Sequence, residues 1–124
     1  MVDSGKVFEL SAIRRIYKVG SELVYALDGV DLSIHDREFI AVTGTSGSGK
    51  SILLHPLGFM GSPPSGRMDF EGRDGSAMGR GEGARLRATR IGFFFQAFNL
   101  LPKLTVLDNV VLSLIYGRMH VKDK

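Results

Sequence analysis

The sequence has no cysteine, which excludes disulfide scaffolds, thiolate zinc sites and cysteine nucleophiles. It has no run of 18 or more apolar residues, the length that a membrane-spanning helix needs. The longest candidate, Leu104 to Tyr116, is interrupted by Asp108 and Asn109. The opening MVDSGKVFEL lacks a basic start followed by an apolar run, so it does not read as a secretion signal. Neither sign of charge dominates: 16 Lys+Arg stand against 13 Asp+Glu, a net charge of +3. No basic run is interleaved with aromatics, the pattern that binds single strands, so nucleic acid is not an expected partner. A slightly positive chain does suit an anionic small molecule. What is present is ordinary globular composition, 44% hydrophobic and 23% charged over 124 residues. That is room for one domain or for part of a larger one.

The first 43 residues read as strands. Val7, Phe8 and Leu10 begin one, and Ala12 to Val19 a second that ends at Gly20. Val30 to Ile34 alternates apolar and polar, as a strand with one wet face does. After the turn His35-Asp36-Arg37, Phe39-Ile40-Ala41-Val42 is short and continuously apolar, which predicts a strand covered on both faces. An apolar helical stretch opens near Lys50. Gly58 to Gly83 holds eight of the 16 glycines and reads as loop, with a short strand at Arg67 to Phe70. Ala84 to Arg90 predicts a short basic helix, and Ile91 to Phe95 another buried strand. Val106, Leu107, Val110, Val111, Leu114 and Ile115 fall at helical spacing as one apolar stripe, expected to serve mostly as core. Thr105 can cap that helix, Asp108 stands in its first turn, and Gly117 is a plausible end.

Gly44-Thr45-Ser46-Gly47-Ser48-Gly49-Lys50-Ser51 matches G-x-x-x-x-G-K-[ST] completely. Glycines let the backbone turn tightly and approach a charged ligand. Successive amide N–H groups then form an anion-binding nest, and the following helix turns its positive end to the same place. Lys50 adds a point charge for the outer phosphates, and Ser51 a hydroxyl for Mg²⁺, which prefers oxygen ligands. An apolar segment before the loop and an apolar helix after it are the context this motif requires.

Other segments narrow the family. Ile91-Gly92-Phe93-Phe94-Phe95-Gln96-Ala97-Phe98-Asn99-Leu100-Leu101-Pro102 resembles the Q-loop region of ABC transporter ATP-binding subunits. Tyr25 to Ile34 and Leu104 to Val110 fit the same family, and together they look like the branch serving lipoprotein release and macrolide-type export. The resemblance covers nearly all of residues 1–124, but only the amino-terminal part of the family's domain. It implies an α/β fold of the P-loop ABC type, incomplete, with an antiparallel β portion beside the strand that feeds the loop. It implies ATP and Mg²⁺ as ligands. The residues it places at the nucleotide are Tyr17, stacking on adenine, then Gly44, Ser46, Gly47, Ser48, Gly49, Lys50, Ser51, Ile52 and Gln96. Ser51 and Gln96 would serve the metal. Its implied partners are a membrane-spanning transporter subunit and a second ATP-binding subunit, on the cytoplasmic face of the membrane.

The departures are specific. Ile52 stands where the family carries a second hydroxyl, removing one hydrogen bond to the phosphates. Pro56 lies inside the helix after the loop, at a cost of about 3 kcal/mol, so that helix should kink or stop near His55. Arg37 replaces a turn glycine, and Gly75 to Gly83 is glycine-rich where the family is more helical. No LSGGQ-type loop, no Asp-Glu strand end after Gln96 and no switch histidine occur in these residues. Phosphoryl transfer depends on all of those parts. Weak ATP binding without hydrolysis is therefore the expectation. The alternatives are a degenerate, non-enzymatic remnant of such a subunit, or a different small P-loop NTPase. Exposed apolar surface is expected where the rest of a cassette would dock.

Overall fold

A computed structural model describes residues 5–61 and 64–119. The chain forms two compact units, Met1–Met78 and Gly79–Lys124. The first holds one four-stranded antiparallel sheet, made of β1 (Lys6–Val19), β2 (Glu22–His35), β3 (Ser65–Phe70) and β4 (Arg73–Asp74). Their order across the sheet is β2-β1-β3-β4. Between β2 and β3 the chain makes the glycine loop and helix α1 (Lys50–Leu57).

The two expected amino-terminal strands are one strand with a bulge. Register slips between Leu10 and Ile13, where Ala12 takes φ 51°. A bulge shifts the alternation by one residue. Phe8 and Leu10 below it and Ile13 above it therefore all face the core, and Ile13 is fully buried. The Asp31 carboxylate accepts the Ala12 N–H at 2.7 Å. Gly66 crosses opposite, where a Cβ would lie 2.5 Å from the Ala12 carbonyl oxygen. Met68 and Phe70 on β3 pair with Leu10 and Phe8 and complete the buried face. Phe59, just past α1, packs edge-on to Phe70 at 5.4 Å and lies 6.0 Å from Phe8, fastening the end of α1 to the sheet.

The turn after β2 shows why Arg37 is a departure: it adopts φ 60°, the left-handed region that favours glycine. The Glu38 carboxylate holds the turn by accepting the His35 N–H at 2.8 Å, a bond that keeps its pKa below the usual carboxylate range. The Arg37–Asp36 ion pair, 3.5 Å and largely exposed, offsets little of the strain. Arg37→Gly is expected to raise unfolding stability by about 1 kcal/mol, measured by urea denaturation.

Two expected strands do not form. Residues 39–42 and 91–95 take part in no ladder among the described residues. A strand exists only through a partner's N–H and C=O groups, and neither segment has such a partner among the described residues. The Phe93 and Phe95 rings stack at 5.6 Å while Phe94 points fully into solvent, so 93–95 is extended without being paired.

The second unit carries α2 (Arg80–Thr89) and α3 (Val106–Met119). The glycine-rich stretch is more ordered than its composition suggests. Gly75–Ala77 forms a 3-10 turn capped by Asp74, and α2 begins at Arg80 despite Gly81 and Gly83. Thr105 and Asp108 cap α3 as expected: the Asp108 N–H donates to Thr105 Oγ1 at 3.1 Å, and the Thr105 hydroxyl donates to Asp108 at 2.6 Å. The helix runs through Gly117 to Met119. Its apolar stripe is not core. Val106, Leu107, Val110, Leu114 and Ile115 are exposed, and Val111 is half-buried. No helix among the described residues is long and apolar enough to cross a membrane.

Candidate functional site: a glycine loop at the start of a helix

Two glycines of the loop, Gly44 and Gly49, stand where a side chain would not fit. Gly49 takes φ 91° directly before α1. A Cβ there would lie 2.4 Å from the Ala26 carbonyl oxygen on β2, and 3.6 Å from the buried side chain of Leu27. A Cβ on Gly44 would meet Ser48 Oγ at 2.7 Å. Gly47, at φ 78°, turns the chain so that the Ser48 N–H donates to the Thr45 carbonyl at 3.2 Å. The first helical bond of α1 runs from the Leu53 N–H to the Gly49 carbonyl. The N–H groups of Lys50, Ser51 and Ile52 precede that bond and have no acceptor within the helix.

Lys50 closes the loop. Its ammonium donates to the Gly44 carbonyl at 2.8 Å, the Thr45 carbonyl at 2.6 Å and Ser48 Oγ at 3.2 Å. Three donors meet three acceptors, all on the loop itself. The positive charge is thereby fixed at the mouth of α1, beside the amides that face no helical acceptor. Ser51, next in sequence, is exposed at the same end. This assembly can receive an oxyanion, and its donors are the kind that phosphate oxygens accept from.

Tyr17 lies on β1 opposite Val24 and is 40% exposed. Alternation puts Tyr17 on the face that carries Ile13 and Arg15. Arg15 pairs with Leu27, the residue that abuts Gly49. Tyr17 therefore continues the face that receives the loop, about 7 Å further along the strand. Sequence spacing alone gave no hint of that placement.

Pro56 is buried in the last turn of α1, and the helix ends at Leu57, two residues past His55. Lacking an N–H, Pro56 leaves the Ile52 carbonyl without its helical donor. The Gly58 N–H bonds to the Leu54 and His55 carbonyls and the Met60 N–H to His55, closing the helix after two turns. His55 is exposed.

Gln96 belongs to the second unit, in an exposed bend after the stacked phenylalanines. The residue that sequence reading passed over is Asn109. Its side chain accepts the Leu101 N–H at 2.9 Å and donates to the carbonyls of Leu101, Leu104 and Thr105. It ties the segment following Gln96 to the start of α3. In the sequence it is only a polar break in an apolar run, and no short-range pattern marks it.

A glycine loop entering a helix, beside an antiparallel sheet, defines a protein of the P-loop α/β class. Residues 27–124 match the ABC transporter family, and the chain belongs to it. It is 44% identical over 119 residues to an uncharacterized ABC transporter ATP-binding protein of Thermotoga maritima, covering 96% of this chain and 51% of that protein. It is 46% identical to a macrolide export ATP-binding/permease protein, MacB, of Marinobacter nauticus, covering 95% of this chain and 18% of that one. Among solved structures it resembles the dimeric ATP-binding cassette MJ0796 bound to ADP and Pi. The TM-score is 0.83 at 39% identity, over 89% of this chain and 47% of that one. The chain thus spans about half the length of such cassettes.

Proposed function

We propose that this chain is the amino-terminal, nucleotide-binding part of an ABC cassette, binding Mg·ATP without hydrolysing it alone. The observation that carries this reading is the Lys50 ammonium held by Gly44, Thr45 and Ser48 at the start of α1. Lys50 would meet the β and γ phosphates, and the amides of Gly47, Ser48 and Gly49 would line them. Gly44, Ser46 and Ile52 complete the loop's lining. Tyr17 would stack on adenine, a role supported by its place on the loop-facing side of β1. Ser51 and Gln96 are oxygen donors, the chemistry that Mg²⁺ requires. The metal neutralises phosphate charge when bound. These residues bind and orient, and none of them is a general base for water.

In the assembled transporter, such a part would work with a second ATP-binding subunit and a membrane-spanning subunit, on the cytoplasmic face of the membrane. Export driven by ATP is the activity of that whole assembly.

Titration of the purified chain with Mg·ATP tests the reading. Saturable binding with no phosphate release is expected, whereas sustained turnover would refute the claim of a binding-only chain. Ile52→Thr, which restores a hydroxyl toward the phosphates, is expected to tighten binding by about tenfold, the worth of one hydrogen bond to a charged acceptor. Unchanged affinity would mean that position 52 does not face the phosphates.

A further inference from the structure

Two arginines follow one another on β1, and the strand turns them to opposite faces. Arg14 stands across the ladder from Asp28, its Nε 3.1 Å from that carboxylate, and both are exposed. Arg15 shares the other face with the buried Ile13 and with Tyr17. It is half-buried and its Nε is shielded from water, so the side chain lies along the protein rather than out in solvent. Its ladder partner is Leu27, which is buried and lies 3.6 Å from the place of a Cβ on Gly49. Paired residues on one face stand about 5 Å apart. Arg15 therefore carries a positive charge to the strip of sheet between Tyr17 and the entry to α1.

We propose that Arg15 is a nucleotide-binding residue that holds the α-phosphate. The inference rests on the roles given above to Tyr17 and the glycine loop. A nucleotide with its base on Tyr17 and its outer phosphates at Lys50 has, by covalent connectivity, only its ribose and α-phosphate in between. Arg15 stands one pleat from Tyr17 on the same face, about 7 Å along the strand, beside the residue that abuts the loop. A guanidinium is a fork of donors that is always charged, and it matches phosphate oxygens better than it matches ribose hydroxyls. The site would then recognise the junction of nucleoside and polyphosphate. ATP and ADP gain from Arg15, whereas inorganic pyrophosphate, seated on the glycine loop alone, does not. Arg14 has Asp28 beside it and faces away, which makes it an internal control.

The test titrates the full chain with Mg·ATP and, separately, with Mg·pyrophosphate, following the amide resonances of the loop glycines. Arg15→Gln is expected to weaken ATP binding by about tenfold, the worth of one hydrogen bond from a charged donor, and to leave pyrophosphate binding unchanged. Arg14→Gln should change neither. Arg15→Lys keeps the charge without the fork and should restore part of the loss. If urea unfolding shows that Arg15→Gln does not fold, Arg15→Lys carries the same comparison, with ATP weakened and pyrophosphate not. Equal weakening of both ligands overturns the proposal, because Arg15 would then be a prop for the loop. Unchanged ATP affinity overturns it as well. Failure of the nucleotide-binding reading looks different: the parent chain then binds neither ligand, whatever stands at position 15, and this proposal falls with it.

Discussion

Lys50→Ala is expected to weaken Mg·ATP binding by about a hundredfold, through loss of the positive charge held where the phosphates would sit. The argument rests on where the ammonium is. It is held against Gly44, Thr45 and Ser48 rather than swinging free in solvent. A phosphate therefore meets a fixed charge, and little side-chain entropy remains to be lost on binding. Removing it also releases three loop contacts, all exposed, whose loss costs the free protein about 1 kcal/mol. The two effects separate by experiment. Circular dichroism and urea unfolding of the variant report the fold, and isothermal titration reports the ligand. A folded Lys50→Ala chain that binds Mg·ATP as tightly as the parent would refute the phosphate-loop assignment. If neither protein binds, the motif is a record of ancestry, and the non-enzymatic remnant becomes the better reading. Lys50→Arg sharpens the result. It keeps the charge but not the compact ammonium that fits between two carbonyls, so it should recover only part of the affinity.

The parts of the fold legible in the sequence are those fixed by local chemistry. The glycine loop, the α1 start, the Thr105–Asp108 cap and the strand at 67–70 each depend on residues within one or two turns of one another. The sequence reads as two strands, Val7 to Leu10 and Ala12 to Val19, and not as one β1 that continues through Ser11 and Ala12. Continuation depends on Asp31 accepting the Ala12 N–H from 19 residues away and on Gly66 leaving room. The buried strands at 39–42 and 91–95 were read from apolar composition. Composition states what a segment needs, and only a pairing partner makes it a strand. The α3 stripe misled for the same reason: helical spacing identifies an apolar face but not what covers it. At the candidate site, the loop was legible by motif. The loop-facing position of Tyr17 and the Asn109 brace were not, since both arise from pairing and bonds between distant residues.

Gly49→Ala should be the most damaging single-methyl change in the glycine loop. Two costs coincide there. Alanine at φ 91° is strained wherever it occurs, and the new Cβ would sit 2.4 Å from the Ala26 carbonyl oxygen. The obstacle is backbone in the middle of β2, so it cannot rotate aside as a side chain could. Either the start of α1 lifts from β2, or β2 shifts at Ala26, which lies between Leu27 and Tyr25 where the register with β1 already slips. A loss of about 3 kcal/mol is expected, seen as a fall of about 2 M in the urea midpoint at the slopes usual for small domains. Gly47→Ala is the control. Its φ of 78° imposes similar backbone strain, but a Cβ there meets nothing within 4 Å. It should cost only about 1 kcal/mol. The difference between the two variants isolates the contact between loop and strand. Equal losses would mean that Gly49 is required only for its backbone angle, and that Ala26 does not hold the loop in place. A larger loss at Gly49, with Mg·ATP binding weakened to match, would establish that β2 positions the phosphate loop through one carbonyl, and would explain why position 49 tolerates no side chain.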